Sequence, residues 1–346
     1  MNKITVILPL YELCSDVKRA VLSIKRQNIG NEVELKIVDF RKFNAPKDYY
    51  KNKNGNVPDF VKTDKKVAKI KDIHEYLDDT GFDFEIVSAD KEAPYTALNT
   101  ATKSATGEYI IFLSQNCVFT KDILKIMYNR AVEKNADILI ANSIKQRGKQ
   151  IEISPVATEV YKDDESKNFA ENQSVLVKDN SIYNKLFKTD VVRSAEAEFP
   201  KFNTPRNVEF LTKVFAKSSN VYFINRDAYL CDFKRFYEFE HTHNLEYNLE
   251  CAGSILRTVN SASKFTDKKY AKNLISNYIS PLFENAQNSV NTELRAKCVE
   301  IHNALASAYP DSKAVKELAK KYPVAEQKNY NKMSVILSKA KHKIIH

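Results

Sequence analysis

The sequence predicts an α/β protein: a mixed sheet flanked by helices, continued by a helical C-terminal extension. Three observations predict it. Over the first 145 residues, short and nearly continuous apolar runs alternate with amphipathic helical patterns, as strands covered by helices on both faces require. From about Leu245 the pattern is helical almost to the end. Glycine is scarce, 6 in 346 residues, where ordinary usage of ~7% would give roughly 24. The nearest two glycines lie 25 residues apart. That spacing excludes the Gly-rich dinucleotide loop, the phosphate loop and the Gly-x-Ser-x-Gly nucleophile elbow, each of which needs two close glycines.

The elements follow in order. Ile4 to Leu10 (ITVILPL) is a β-branched apolar run and reads as a strand buried on both faces. A helix follows, with Asp16 as its cap and Val17, Ala20, Val21 and Ile24 at helical spacing. Val33 to Asp39 is the second strand and Phe84 to Ser88 the third, separated by a Lys/Asn/Asp-rich loop from Arg41 to Asp64. Asp78-Asp79 before Thr80-Gly81 reads as a helix end and turn. Ala93 to Ser104 is a short helix and Glu108 to Leu113 a fourth strand. Lys121 to Asn135 is a helix with Ile123, Leu124, Met127 and Ala131 on one face, and Asp137 to Ala141 a fifth strand. The middle mixes strand signals (SVLV at 174–177, NVYFI at 220–224, AYLCDF at 228–233) with helices at Lys188 to Ala195 and Asn207 to Lys217. Helices then span Leu245–Asn260, Lys268–Asn285, Thr292–Ala308 and Ser312–Lys321. The implied division is 1–240, with halves 1–145 and 146–240, and a helical region 241–346.

Charge and cysteine usage narrow the class. The formal charge is +10, and the last 36 residues, with nine Lys and three acids, carry +6 of it. Asn331 to His346 pairs a small apolar face with four lysines. It reads either as a surface that docks on an anionic membrane or as a solvated tail. No module interleaves basic and aromatic residues over a broad face, so no nucleic-acid partner is expected. The five cysteines (14, 117, 231, 251, 298) contain no C-x-x-C pair and read as buried free thiols. No apolar run reaches ~18 residues, and the first twelve residues lack a signal-peptide core. The expected location is cytoplasmic, or peripheral on the inner face of the membrane.

Four segments in order carry a resemblance: Thr5 to Glu12 (TVILPLYE); Leu22-Ser23-Ile24 with Gln27; Glu34 to Asp39 (ELKIVD); and Ala97-Leu98-Asn99 followed by Ala105 to Leu113 (ATGEYIIFL). Together they resemble the nucleotide-sugar half of a family 2 glycosyltransferase of the GT-A fold. Lys185 to Lys188 (KLFK) with Phe199-Pro200 resembles the acceptor side of such enzymes that decorate teichoic acid or capsule. The resemblance covers roughly residues 1–235.

It implies a UDP- or CDP-linked sugar as donor and a glycan or teichoic acid as acceptor, with Pro9, Tyr11, Asp39 and Asn99 as nucleotide-binding residues. Tyr11 would offer an aromatic face to a pyrimidine and Asp39 two acceptors to base or ribose. The plain alternative is that Tyr11 packs in the core and Asp39 caps a turn. The resemblance also implies two carboxylate sites that this chain lacks. The family's Asp-x-Asp, which holds a divalent cation against the leaving diphosphate, is replaced by Ser114, Gln115 and Asn116, then Cys117. The Glu-Asp pair whose Asp takes the acceptor proton is replaced by Arg206-Asn207, with Pro205 before and Phe210 after. Glu209 lies about 200° round a helix from Asn207. Phe40 to Phe43 (FRKF) stands where a Gly-Ser-Thr-Asp run is usual, and Leu98 where an Arg is. Neutral oxygens bind a hard cation poorly without charge compensation, and Asn accepts no proton at neutral pH. No cofactor is therefore expected, catalytic residues are unassigned, and two functions remain open. One is a nucleotide-sugar-binding transferase of envelope glycan synthesis. The other is an inactive relative that partners an active enzyme through its C-terminal helices. Weaker clusters are His241 and His243 near Glu238, and Asp163-Asp164-Glu165, read as a polar edge and a solvated turn.

Overall fold

The computed structural model describes residues 2–11, 13–29, 32–41, 72–89, 94–147, 150–153, 166–167, 179, 181–199, 207–232 and 313–321, with single helical residues between 258 and 307. Its strands are β1 (Ile4–Leu10), β2 (Val33–Asp39), β3 (Glu85–Ser88), β4 (Tyr109–Phe112), β5 (Cys117–Phe119), β6 (Ile138–Arg147), β7 (Gln150–Ile153), β8 (Ser166–Lys167), β9 (Lys185–Lys188) and β10 (Val221–Asp232). Its helices are α1 (Ser15–Lys25), α2 (Ile73–Leu77), α3 (Pro94–Lys103), α4 (Ile123–Glu133), α5 (Thr189–Ser194), α6 (Val208–Lys217) and α7 (Lys313–Lys321). One sheet runs β3-β2-β1-β4-β9-β6-β10-β5, with β7 on β6 and β8 on β10. The pairs β1–β2, β1–β4, β2–β3 and β6–β10 are parallel; β9 runs antiparallel to β4 and β6, and β5 to β10. The predicted mixed α/β sheet with helical flanks and a helical C-terminal segment is the observed architecture.

All seven residues of β1 are buried, because both its edges are paired and both its faces are covered. Ile7 joins one apolar cluster and Ile4, Val6, Leu8 and Leu10 the other, the alternation a pleat enforces. The second cluster takes the apolar stripes of α1 and α4. The first takes α3, α6 and, from far along the chain, Val315 and Leu318 of α7.

Several sequence features find local reasons. Ser23, in α1, and Gln27, just beyond its end, join it to β5 and to the start of α4. The Ser23 hydroxyl accepts from Phe119 N–H at 3.0 Å, and Gln27 Oε1 accepts from Leu124 N–H at 3.0 Å, satisfying a donor in the first turn of α4 that has no partner within its own helix. Gly107 is pressed against β1: its N–H donates to Thr5 Oγ1 at 2.9 Å and its carbonyl accepts from Thr189 Oγ1 at 2.6 Å. Gly81 ends the Asp78–Thr80 turn at φ 54°, the left-handed conformation glycine adopts without strain.

Some expectations need correction. The residue capping α1 is Cys14, and Asp16 lies in the first turn, where the helix dipole favours an acid. Cys117–Phe119 forms a strand not foreseen, being three residues long, and the two strand signals after Asn220 are one long strand, β10. The KLFK segment is itself a strand, and its helix starts at Thr189. Of the helices expected at Leu245–Asn260 and Thr292–Ala308, the described residues are 258 in the first and 296, 299–300, 302–303 and 306–307 in the second, all helical. The one expected at Lys268–Asn285, like the SVLV segment, the loop beyond Arg41, Asp163 to Glu165, His241, His243, Arg206 and the basic tail, lies outside the described residues.

Candidate functional site

Parallel strands bring their carboxyl ends to one edge of the sheet, where open α/β sheets bind ligands. Leu10 of β1 lies opposite Asp39 of β2, and Asp39 opposite Ser88 of β3. Tyr11 and Asp39 are thereby neighbours at this edge, just beyond Pro9, which is buried in β1 and paired with Val38. The turn after β4 brings Ser114, Gln115 and Asn116 to the same edge. Because β9 is antiparallel to β4, its first residue, Lys185, and Asn184 just before it arrive there too.

The Tyr11 ring is half-buried and stacks on Phe40 at 5.2 Å with 12° between planes; Phe40 leans on Tyr95 at 5.3 Å. The Tyr11 N–H donates to Gln115 Oε1 at 2.7 Å. Gln115, 4% exposed, therefore ties the turn after β4 to the turn after β1. Asp39, 5% exposed, caps its own turn. Oδ1 accepts from Arg41 N–H at 3.0 Å and Arg41 Nε at 2.9 Å, and Oδ2 accepts from Arg41 Nη2 at 2.9 Å. Arg41 was not singled out as a site residue; the FRKF departure was the signal that could have found it.

Asn99 sits apart from these three. Its Nδ2 donates to the Phe199 carbonyl at 3.1 Å and its Oδ1 accepts from Phe199 N–H at 2.7 Å. Phe199 stacks on Phe210 at 4.3 Å, and both rings meet Phe112 edge-on. Asn99 thus anchors the start of α6, which Asn207 precedes. Asn207 is the N-cap of α6 at φ 65°, ψ 16°, without a side-chain capping bond. This left-handed geometry is one that Asn tolerates better than most residues. Glu196 and Glu198 are exposed, the latter paired with Lys103.

The second group at this edge is built on a buried ammonium. Lys185, 0% exposed, donates to Asp179 Oδ2 at 2.7 Å, to the Ser181 carbonyl at 2.7 Å and to Asn184 Oδ1 at 3.0 Å. Burial holds its pKa below the ordinary value, with Asp179 pulling the other way. Beside it Tyr183 and Tyr229 meet edge-on at 6.3 Å. Cys117 and Cys231 are opposite each other across β5 and β10 as buried free thiols, while Cys14 is a half-buried one. Burial, with Cys231 beside it, pushes the Cys117 thiol well up.

A divalent cation, which the resemblance implies, does not suit the turn after β4. None of Ser114, Gln115, Asn116 and Cys117 is a carboxylate. The Gln115 side-chain oxygen is already taken by Tyr11, and Asn116 Oδ1 is buried without a hydrogen-bond partner. Neutral oxygens hold a hard cation poorly without carboxylates to compensate its charge, so no step is derived through such an ion.

Sheet order, strand-end edge and flanking helices define a GT-A fold. The family described as Glycosyl transferase family 2 matches residues 57–192. The crystal structure of S. aureus TarS 1–349 is similar at TM-score 0.62 and 16% identity, over 91% of this chain and 83% of that one. The same fragment in complex with UDP-GlcNAc is similar at TM-score 0.65 and 14% identity, again over 91% and 83%. Against the crystal structure of S. aureus TarS the TM-score is 0.59 at 15% identity, and the match spans 50% of that chain. At such identities the likeness is one of fold. No curated protein matches the sequence. The chain has a GT-A fold, and its residues 57–192 are similar to family 2 glycosyl transferases.

Proposed function

We propose that the chain binds a nucleotide-sugar at the carboxyl edge of β1, β2 and β4 and serves bacterial cell-envelope polysaccharide or teichoic acid synthesis, with a glycan or teichoic acid as acceptor. The observation that carries this is the meeting of Tyr11 and Asp39 at one strand-end edge, where Gln115 holds the Tyr11 backbone. An aromatic ring beside a carboxylate suits a pyrimidine nucleotide, and the similar S. aureus TarS fragment was crystallised with UDP-GlcNAc and with UDP. Pro9 lies in β1 just before that edge, while Asn99 acts at a distance, through Phe199, on the helix that Asn207 begins.

A second reading has its own support. Ser114, Gln115, Asn116 and Asn207 are neutral where inverting sugar transfer needs charged oxygens and a proton acceptor. On this reading the protein is a nucleotide-binding but catalytically silent partner of an active transferase. Its C-terminal helices would dock that enzyme, and its basic tail would hold the pair to the inner face of the membrane.

Calorimetric titration of the full chain with uridine and cytidine diphosphates tests the common core. Saturable heat with either supports it; heat equal to buffer dilution with both, in folded protein, removes it. The two readings part on turnover. Product formation abolished by Asn207→Ala or Asn116→Ala favours the transferase and sinks the silent partner.

A further inference from the structure

We propose that Cys117 and Cys231 form a reversible disulfide across β5 and β10, a redox latch on the turn that carries Gln115. The two residues face each other in the antiparallel register, in which Val118 meets Leu230 and Phe119 meets Tyr229. One step further along, the Thr120 N–H donates to the Ala228 carbonyl at 3.1 Å. Hydrogen-bonded and non-hydrogen-bonded pairs alternate in such a ladder, so Cys117 and Phe119 stand at non-hydrogen-bonded positions. Their N–H groups accordingly turn away from β10, Cys117 to the Ser114 carbonyl at 2.9 Å and Phe119 to the Ser23 hydroxyl at 3.0 Å. Facing residues at such a position have Cα atoms about 4.5 Å apart and side chains close together. That separation lies within the roughly 4.4–6.8 Å that a disulfide spans. Both thiols are free, sit in one apolar cluster and are hydrogen-bond partners.

Burial decides when the bond forms. Cys117 is 1% and Cys231 4% exposed, and burial pushes the Cys117 thiol well up, so the closed sheet withholds both from oxidants. Yet β5 is three residues long and, among the described residues, lies at the end of the strand order on β10 alone. A short edge strand opens locally without unfolding the rest, and opening exposes both sulfurs together. With hydrogen peroxide as oxidant, one sulfur attacks the peroxide and becomes a sulfenic acid as the first water leaves. The second sulfur displaces the hydroxyl as another water, and the S–S bond forms. The two thiols give up two electrons and two protons, and the peroxide takes them. The bond then resists the opening that allowed it. Cys117 ends the turn from Ser114, and Gln115 in that turn holds the Tyr11 N–H at 2.7 Å, so the latch fixes part of the strand-end edge.

The test treats the reduced full chain with hydrogen peroxide, blocks the remaining thiols, digests the protein and maps its cysteines by mass spectrometry. Linked peptides holding Cys117 and Cys231 are expected, and dithiothreitol should release them. Hydrogen exchange of the amides at 117–120 should slow at least about tenfold in the oxidised protein. Cys231→Ser and Cys117→Ser should each show neither the link nor the slowing. Recovery of both wild-type cysteines as thiols or sulfinic acids overturns the assignment, as does a link that forms only in urea. A link that leaves exchange unchanged overturns the latch. Neither readout involves a nucleotide, so nucleotide binding holds or fails independently.

Discussion

At Gly107 a methyl group has nowhere to go. A Cβ there would lie 2.4 Å from Thr5 N and 2.6 Å from Ile4 C, and these are backbone atoms of the central strand, which cannot swing aside as the end of a side chain can. The same residue takes a hydrogen bond on each side, from Thr189 and to Thr5, so the segment cannot withdraw without losing both. This is the physical content of the ATGEYIIFL segment: a small residue where the turn before β4 crosses β1. Gly107→Ala should therefore destabilise the protein by about 1–3 kcal/mol through overpacking, read as a lower midpoint in urea with an unchanged slope. A midpoint equal to wild type would mean that the two strands separate there at no cost.

Among elements, the edge from β1 to β3 is tied by charge as well as by backbone ladders. Glu34 of β2 accepts from the Thr5 hydroxyl of β1 and from Thr106 N–H at 2.8 Å, and pairs with Lys36 at 3.1 Å; Lys36 also pairs with Glu85 of β3. Burial alone would raise the Glu34 pKa, but the Thr106, Thr5 and Lys36 contacts outweigh it and hold it below its ordinary 4.5. A depressed carboxylate pKa gives stability that is fully present above the unfolded value and is lost as pH falls through the folded one. Wild type should lose stability more steeply than Glu34→Gln between about pH 5 and pH 3, the gap between them closing toward acid, as denaturant midpoints at each pH will report. Parallel curves would remove Glu34 from the acid limb.

At this scale the sequence was most legible where apolar periodicity is strongest. β1 and β2 match their observed bounds, and α4 buries the four residues its pattern singled out. The strand Cys117–Phe119 was not legible, because three residues give no period and its partner, β10, lies more than a hundred positions away. Site residues divided similarly. Tyr11 and Asp39 could be brought together by strand order alone. That Arg41 would close on Asp39, or that Asn99 would grip the Phe199 backbone, depends on side-chain directions that no spacing encodes.

For the whole molecule, the strand-end edge matters because of which charges reach it. The chain carries 54 basic against 44 acidic residues, and among the described residues two acids at this edge are already engaged: Asp39 by Arg41 and Asp179 by the buried Lys185. The turn that would meet a diphosphate offers amides and a hydroxyl, one amide oxygen spent on Tyr11. Such an edge suits an anion whose charge is met by protein cations, since among the described residues the carboxylates there are committed and the remaining oxygens are neutral. The affinity for a nucleoside diphosphate should accordingly fall as salt is raised, yet stay within about twofold when Mn²⁺ is added or EDTA replaces it. The measurement is one titration series over salt and one over metal. A tenfold gain with Mn²⁺ would mean that carboxylates other than Asp39 and Asp179 converge on the phosphates, and the account of a cation-poor edge would fail. A gain restricted to Asn116→Asp would instead identify the turn after β4 as the point at which metal binding was lost.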